Sequence, residues 1–142
     1  MRATRDFVAQ ALAREGLLPN KNLGQNFCVD ESVLRRLAAA MPLDGQTVLE
    51  IGPGLGGLTE QLLDVGAMVY AVEKDGRLYD FLQRDLVSER LTLIHGDCLK
   101  TDYGFVHVVA HVPSGWKSLL RRWFWSRMKS PRRRRDSRRP AL

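Results

Sequence analysis

Three carboxylates and a run of glycines hold most of the chemistry legible in this chain. The stretch "LEIGPGLGGLTEQLL" (residues 49–63) carries Glu50 and then Gly52, Gly54, Gly56 and Gly57 between an apolar run and an amphipathic pattern. Glycines at such a point let the backbone turn sharply and approach a ligand, while the first N–H groups of the following helix stay free to bind it. The loop fits G-x-G-x-x-G through Gly52, Gly54 and Gly57, and equally G-x-G-x-G through Gly52, Gly54 and Gly56, so it does not choose its ligand alone. A strand-to-helix turn with no ligand needs fewer glycines. About twenty residues on, "VYAVEKD" ends in Glu73, placed to accept both hydroxyls of a ribose. "LIHGDCL" then sets Asp97 just past a third apolar run, where a carboxylate can accept from an adenine amino group. Glu50, ahead of the loop, suits an amino-bearing ligand such as a methionine moiety better than a pyrophosphate. That choice favours S-adenosylmethionine over NAD.

These groups converge only if alternating strands and helices place them at one end of a sheet. Helical spacing predicts helices over Phe7–Arg14, Glu31–Ala40 behind an Asp30 cap, Leu58–Leu63 and Arg77–Leu86. Short apolar runs predict strands at Thr47–Ile51, Met68–Val72, Leu91–Ile94 and Phe105–Val109. Such alternation implies a parallel, doubly wound α/β sheet, Rossmann-like, with ligands at the carboxyl ends of its strands.

Length and charge narrow the class. The 142 residues, 44% of them hydrophobic, make room for one ordinary domain. No apolar stretch reaches membrane-spanning length, and the first residues lack the pattern of a secretory leader, so a cytoplasmic protein with no membrane association is expected. Cys28 and Cys98 stand outside any metal-ligand spacing, and no metal is assigned. The net charge of +6 divides unevenly: residues 117–142 hold 11 of the 22 Lys and Arg but one acid, Asp136, leaving residues 1–116 with 11 basic and 15 acidic residues. Composition changes after Pro113, which divides the chain into a ligand-binding unit over 1–113 and an Arg-rich tail over 114–142.

With these residues in place, a family resemblance emerges. "NKNLGQNFCVD" (20–30), "VLEIGPGLGGLTEQLL" (48–63), "VYAVEKDGRL" (69–78), "HGDCLKTD" (95–102) and "VHVVAHVP" (106–113) together resemble the rRNA adenine dimethyltransferases that modify small-subunit rRNA. The macrolide-resistance methyltransferases of large-subunit rRNA share much of the pattern. "LGQNF" is the most specific piece, because generic methyltransferases lack it. The resemblance, over about residues 17–113, implies an S-adenosylmethionine-dependent enzyme acting on small-subunit rRNA or a pre-ribosomal particle, with no specific protein partner inferred. It implies cofactor contacts from Gln25, Asn26, Cys28 (commonly leucine in the family), Gly52, Glu73, Asp97 and His111, beside the Glu50 and Gly54 read from the loop.

The same resemblance directs attention to the fourth strand's end, where the family carries Asn-(Leu/Ile/Val)-Pro-(Tyr/Phe). There the Asn oxygen accepts from the target amine, and the aromatic ring stacks on the flipped base. This chain reads His111-Val112-Pro113-Ser114. His111 offers one acceptor with a different geometry, and Ser114 cannot stack, so His111, Pro113 and Ser114 form a degenerate catalytic motif and impaired catalysis is expected. A reading-frame shift at residue 114 accounts for both the serine and the tail: Ser-Gly-Trp-Lys-Ser written TCC GGC TGG AAG TC becomes TAC CGG CTG GAA GTC, Tyr-Arg-Leu-Glu-Val, on restoring one nucleotide. The alternative function is noncatalytic RNA binding through the tail, with Arg132–Arg135, Arg138 and Arg139 on phosphates and Trp116, Trp123 and Trp125 on bases.

Overall fold

The computed structural model describes residues 2, 4–18, 27–40 and 42–100, and the backbone of 107–110. Helices and strands alternate as α1 (Arg5–Arg14), α2 (Glu31–Ala38), β1 (Thr47–Ile51), α3 (Gly57–Asp64), β2 (Met68–Glu73), α4 (Gly76–Asp85), β3 (Leu91–His95) and β4 (His107–Ala110). The four strands lie parallel in the order β3-β2-β1-β4. The expected doubly wound, Rossmann-like α/β sheet is therefore present.

Local chemistry sets the element ends. Thr4 caps α1 by accepting from the Phe7 amide at 3.2 Å, and Asp30 caps α2 by accepting from the amides of Ser32 (3.0 Å) and Val33 (3.3 Å). Asp75 does the same for α4 through the Arg77 amide at 3.0 Å. α2 stops at Ala38, short of the expected Ala40, because Ala39 and Ala40 close a turn with amide bonds back to Arg35 and Leu37. β2 runs one residue past Val72 and takes in Glu73, and β3 likewise takes in His95, since the β2–β3 pairing continues through that register. β4 lies later than the expected Phe105–Val109, with Ala110 paired to Ile51.

Alternation along the inner strands supplies two apolar faces. Val48, Val69 and Ala71 pack with Leu34, Ala38, Leu58 and Leu62 of α2 and α3. Leu49, Ile51 and Val72 face the other way, with Cys98. A third cluster joins α1 to α4 through Val8, Ala11, Leu78, Phe81 and Leu82, and Leu55 from the glycine loop enters it. The loop is thus held between a sheet end and a helix pair.

Candidate functional site

The crevice opens where β1 and β2 end. Gly52 leaves β1 with its amide bonded to the Val72 carbonyl at 2.9 Å, and the next turns place Gly52, Gly54 and Gly56 at φ of 69°, 61° and 85°. At Gly54 both reasons for glycine apply. The left-handed backbone disfavours a side chain, and an added Cβ would stand 3.2 Å from the Phe27 ring. α3 then begins at Gly57, and its N-cap, Gly56, makes no side-chain cap bond.

Glu73 binds this loop directly. One carboxylate oxygen, Oε2, accepts from the Gly54 amide at 3.1 Å, and Oε1 accepts from the Asp75 amide at 2.8 Å. Burial pushes its pKa up, while hydrogen bonds from the backbone amides of Asp75, Gly54 and Lys74 act the other way. A carboxylate has about four acceptor positions, so these three amides leave one for a ligand hydroxyl.

Glu50 lies beneath the loop and is wholly buried. Its Oε2 accepts from the Thr59 hydroxyl at 2.6 Å, tying the end of β1 to the first turn of α3, and its Oε1 has no partner among the described residues. Burial raises its pKa to about 7, opposed by the Thr59 hydrogen bond and reinforced by the nearby Glu73 charge. Glu50, read from sequence as suited to an amino-bearing ligand, thus ties β1 to α3 through one oxygen and keeps an unmatched acceptor on the other.

Asp97 stands past β3, beside the end of β2, where the Gly96 amide donates to the Glu73 carbonyl at 2.9 Å. Its Oδ1 accepts from the Leu99 amide (3.0 Å) and its Oδ2 from Lys74 Nζ (3.2 Å). The Leu99 amide and then the Lys74 hydrogen bond hold its carboxyl below the usual range. Cys28 is half-buried and packs against the α2–α3 core cluster. Gln25, Asn26, His111, Pro113 and Ser114 lie outside the described residues.

Of the residues expected from sequence, Gly52, Gly54, Glu73 and Asp97 gather at the carboxyl ends of adjacent strands, with Glu50 behind them. Phe27, Thr59 and Lys74 were not among them. Phe27 had a signal, because it closes the "LGQNF" segment, whereas Thr59 and Lys74 gain their roles only through folding. Among the described residues no group of three or more His, Cys, Asp or Glu is arranged to hold a metal, and no helix is long and apolar enough to cross a membrane.

A parallel sheet with a glycine loop after β1 and acids at the ends of β2 and β3 defines the Rossmann-like methyltransferase class. The family profile "Ribosomal RNA adenine dimethylase" matches residues 17–133, and the chain belongs to that family. It is similar to the ribosomal RNA small subunit methyltransferase A of Xanthobacter autotrophicus, 45% identical over 123 residues, covering 80% of this chain and 43% of the relative. The protein of that name from Deinococcus radiodurans is 44% identical over 111 residues, covering 75% and 38%. Among solved structures, a dimethyladenosine transferase from Plasmodium falciparum superposes with a TM-score of 0.59 at 27% identity, covering 68% of this chain and 37% of that one. The 23S rRNA methyltransferase ErmE gives 0.56 at 28% identity, covering 66% and 40%. The chain spans about two fifths of the length of these curated relatives.

Proposed function

We propose that this chain binds S-adenosylmethionine in the crevice between the glycine loop, Glu73 and Asp97, as part of the machinery for N6-dimethylation of adenines in small-subunit rRNA. The observation that carries the reading is the Gly54 amide on Glu73 at 3.1 Å, which joins the loop to the acid at the end of the neighbouring strand. The bound cofactor would supply the methyl group. In this reading Glu73 accepts from a ribose hydroxyl, Asp97 from the adenine amino group, and Glu50 Oε1 is the unmatched acceptor for an amino donor. Gln25, Asn26 and Cys28 are proposed to complete the cofactor contacts, in a unit over residues 1–113 working in the cytoplasm.

For the target adenine, His111 and Ser114 replace the amide and aromatic residues of the family motif around Pro113. An exocyclic amine is a weak nucleophile, so its positioning supplies much of the rate, and we infer that methyl transfer by this chain is severely reduced. The tail offers a second reading, RNA binding without catalysis, favoured by 11 Lys and Arg over residues 117–142.

Calorimetry of the 142-residue chain with S-adenosylmethionine tests the first reading, and no heat of binding defeats it. Binding of NAD in competition defeats the choice of cofactor. Transfer of labelled methyl groups to a small-subunit rRNA fragment separates the two functional readings: robust transfer removes the claim of impairment, and salt-sensitive rRNA binding without transfer supports the tail.

A further inference from the structure

The second residue of the chain makes contacts outside the proposed cofactor and catalytic roles. Arg2 is only 8% exposed. Its guanidinium lies over the rings of Phe7 (5.4 Å) and Phe81 (5.8 Å), and its backbone amide donates to Glu60 Oε2 at 2.8 Å. One guanidinium nitrogen, Nη2, donates to the Asp85 carbonyl. The other, Nη1, makes a long contact of 3.5 Å to the Leu55 carbonyl.

Those two carbonyls belong to different parts of the molecule. Asp85 is the last residue of α4, where helix carbonyls lack internal partners and a cation complements the helix dipole. Leu55 stands between Gly54 and Gly56, inside the loop that meets Glu73. The Arg2 stem adds a packing contact, since its Cδ would be 3.4 Å from a Cβ placed on Gly56. A planar fork on a long stem fits this bridge better than an ammonium. Burial disfavours the Arg2 charge, and the Glu60 and Asp85 carboxylates support it.

We propose that Arg2 is a positioning residue for the glycine loop: it clamps Leu55 and Gly56 to the end of α4, so that residues before α1 set the affinity of the site for its adenosyl ligand. The affinity part rests on the cofactor reading above, whereas the clamp stands on the contacts themselves. The control is Arg14, which pairs with Asp85 at 2.6 Å and lies over the same Phe81 ring at 5.5 Å but makes no contact with the loop among those described.

Hydrogen exchange on the full chain without ligand reads the clamp directly. In Arg2→Gln the amides of residues 54–57 should exchange about tenfold faster than in wild type, as expected for loss of a charge-assisted bond. Arg14→Gln should leave them unchanged, and Arg2→Lys, which keeps stem and charge, should fall between wild type and Arg2→Gln. S-adenosylmethionine titrated into the same proteins should bind several-fold more weakly to Arg2→Gln than to Arg14→Gln. Loop exchange in Arg2→Gln and Arg2→Lys no faster than in Arg14→Gln overturns the clamp. Faster exchange with equal affinity in Arg2→Gln overturns its link to the ligand. A wild type that binds no S-adenosylmethionine, yet shows the exchange pattern, overturns the cofactor reading and that link while upholding the clamp.

Discussion

Glu50 is the residue whose environment and chemistry disagree most. A carboxyl with no exposed surface, one partner and a second acid nearby is held neutral more easily than charged, which is why its pKa rises to about 7. Raised folded-state values cost stability as pH rises, because the unfolded chain ionises near 4.5 while the folded one keeps its proton until about 7. Across that window Glu50 should remove up to about 3 kcal/mol of stability, by the conversion of about 1.4 kcal/mol per unit. Glu73 is shifted in the same direction and adds to the trend, whereas Asp97, shifted down, acts only at acid pH below its ordinary value. Urea melts at pH 5 and pH 8 should therefore show the wild type weaker at pH 8, and Glu50→Gln, which still accepts from Thr59, should flatten the difference. Equal pH slopes in the two proteins would show that Glu50 titrates normally. At Glu73 the expected loss is in binding: Glu73→Ala removes the proposed ribose acceptor and the anchor of the Gly54 amide together. It should weaken S-adenosylmethionine by about 1.5–3 kcal/mol in calorimetry, and unchanged affinity would remove Glu73 from the site.

The glycine loop behaves as an element in its own right, with the Phe27 ring against one side, Glu73 below and the start of α3 beyond. Gly54→Ala should cost about 1–2 kcal/mol from its left-handed backbone alone, with the Phe27 contact adding to it. Chemical denaturation measures the sum, and a neutral substitution would show that loop and ring are free to move apart. Most elements were legible in the sequence because their signals are local. β1 occupies the span its apolar run predicts, Asp30 caps α2, and the acids at the ends of β1, β2 and β3 are one strand apart once the sheet is parallel. What escaped the sequence depends on contacts between distant residues. Arg2 meets the carbonyls of Leu55 and Asp85 across separations of 53 and 83 residues, and no periodicity announces such a bridge. Glu50 illustrates the same limit: its place ahead of a glycine loop is read from sequence, and only the fold shows its bond from Thr59. Among the described residues β4 borders the sheet, paired on one side with β1. An apolar border strand invites pairing between chains, so the purified 142-residue chain should self-associate in light scattering, and a monodisperse monomer with a cooperative high-temperature melt would refute this.

At the scale of the whole molecule, the parallel sheet sets the proposed cofactor crevice beside the end of β4. β4 ends at Ala110, level with Ile51, so the chain leaves that strand beside the entrance to the glycine loop. There the sequence turns from "VHVVAHVP" to serine, tryptophan and arginine. The frame shift expected after Pro113 would account for this turn with one lost nucleotide, and its repair would place Tyr after Pro, the residue that would stack on a flipped base. The family match, which continues to residue 133, supports the competing expectation that residues 114–133 are in-frame family sequence. The gene decides between them. If an alternative frame downstream of codon 113 encodes a continuous methyltransferase sequence, the shift is upheld, and an interrupted or unrelated frame ends the idea. Function offers a second measurement of the same proposal. The 142-residue chain should bind S-adenosylmethionine yet transfer no detectable methyl group to small-subunit rRNA, since an absent stacking ring alone forfeits about 1–3 kcal/mol per base. Restoring the frame should return transfer, whereas Ser114→Tyr alone should return little, because His111 and the sequence after 114 stay as they are. Full adenine dimethylation by the chain as it stands would overturn both the impairment and the frame shift offered to explain it.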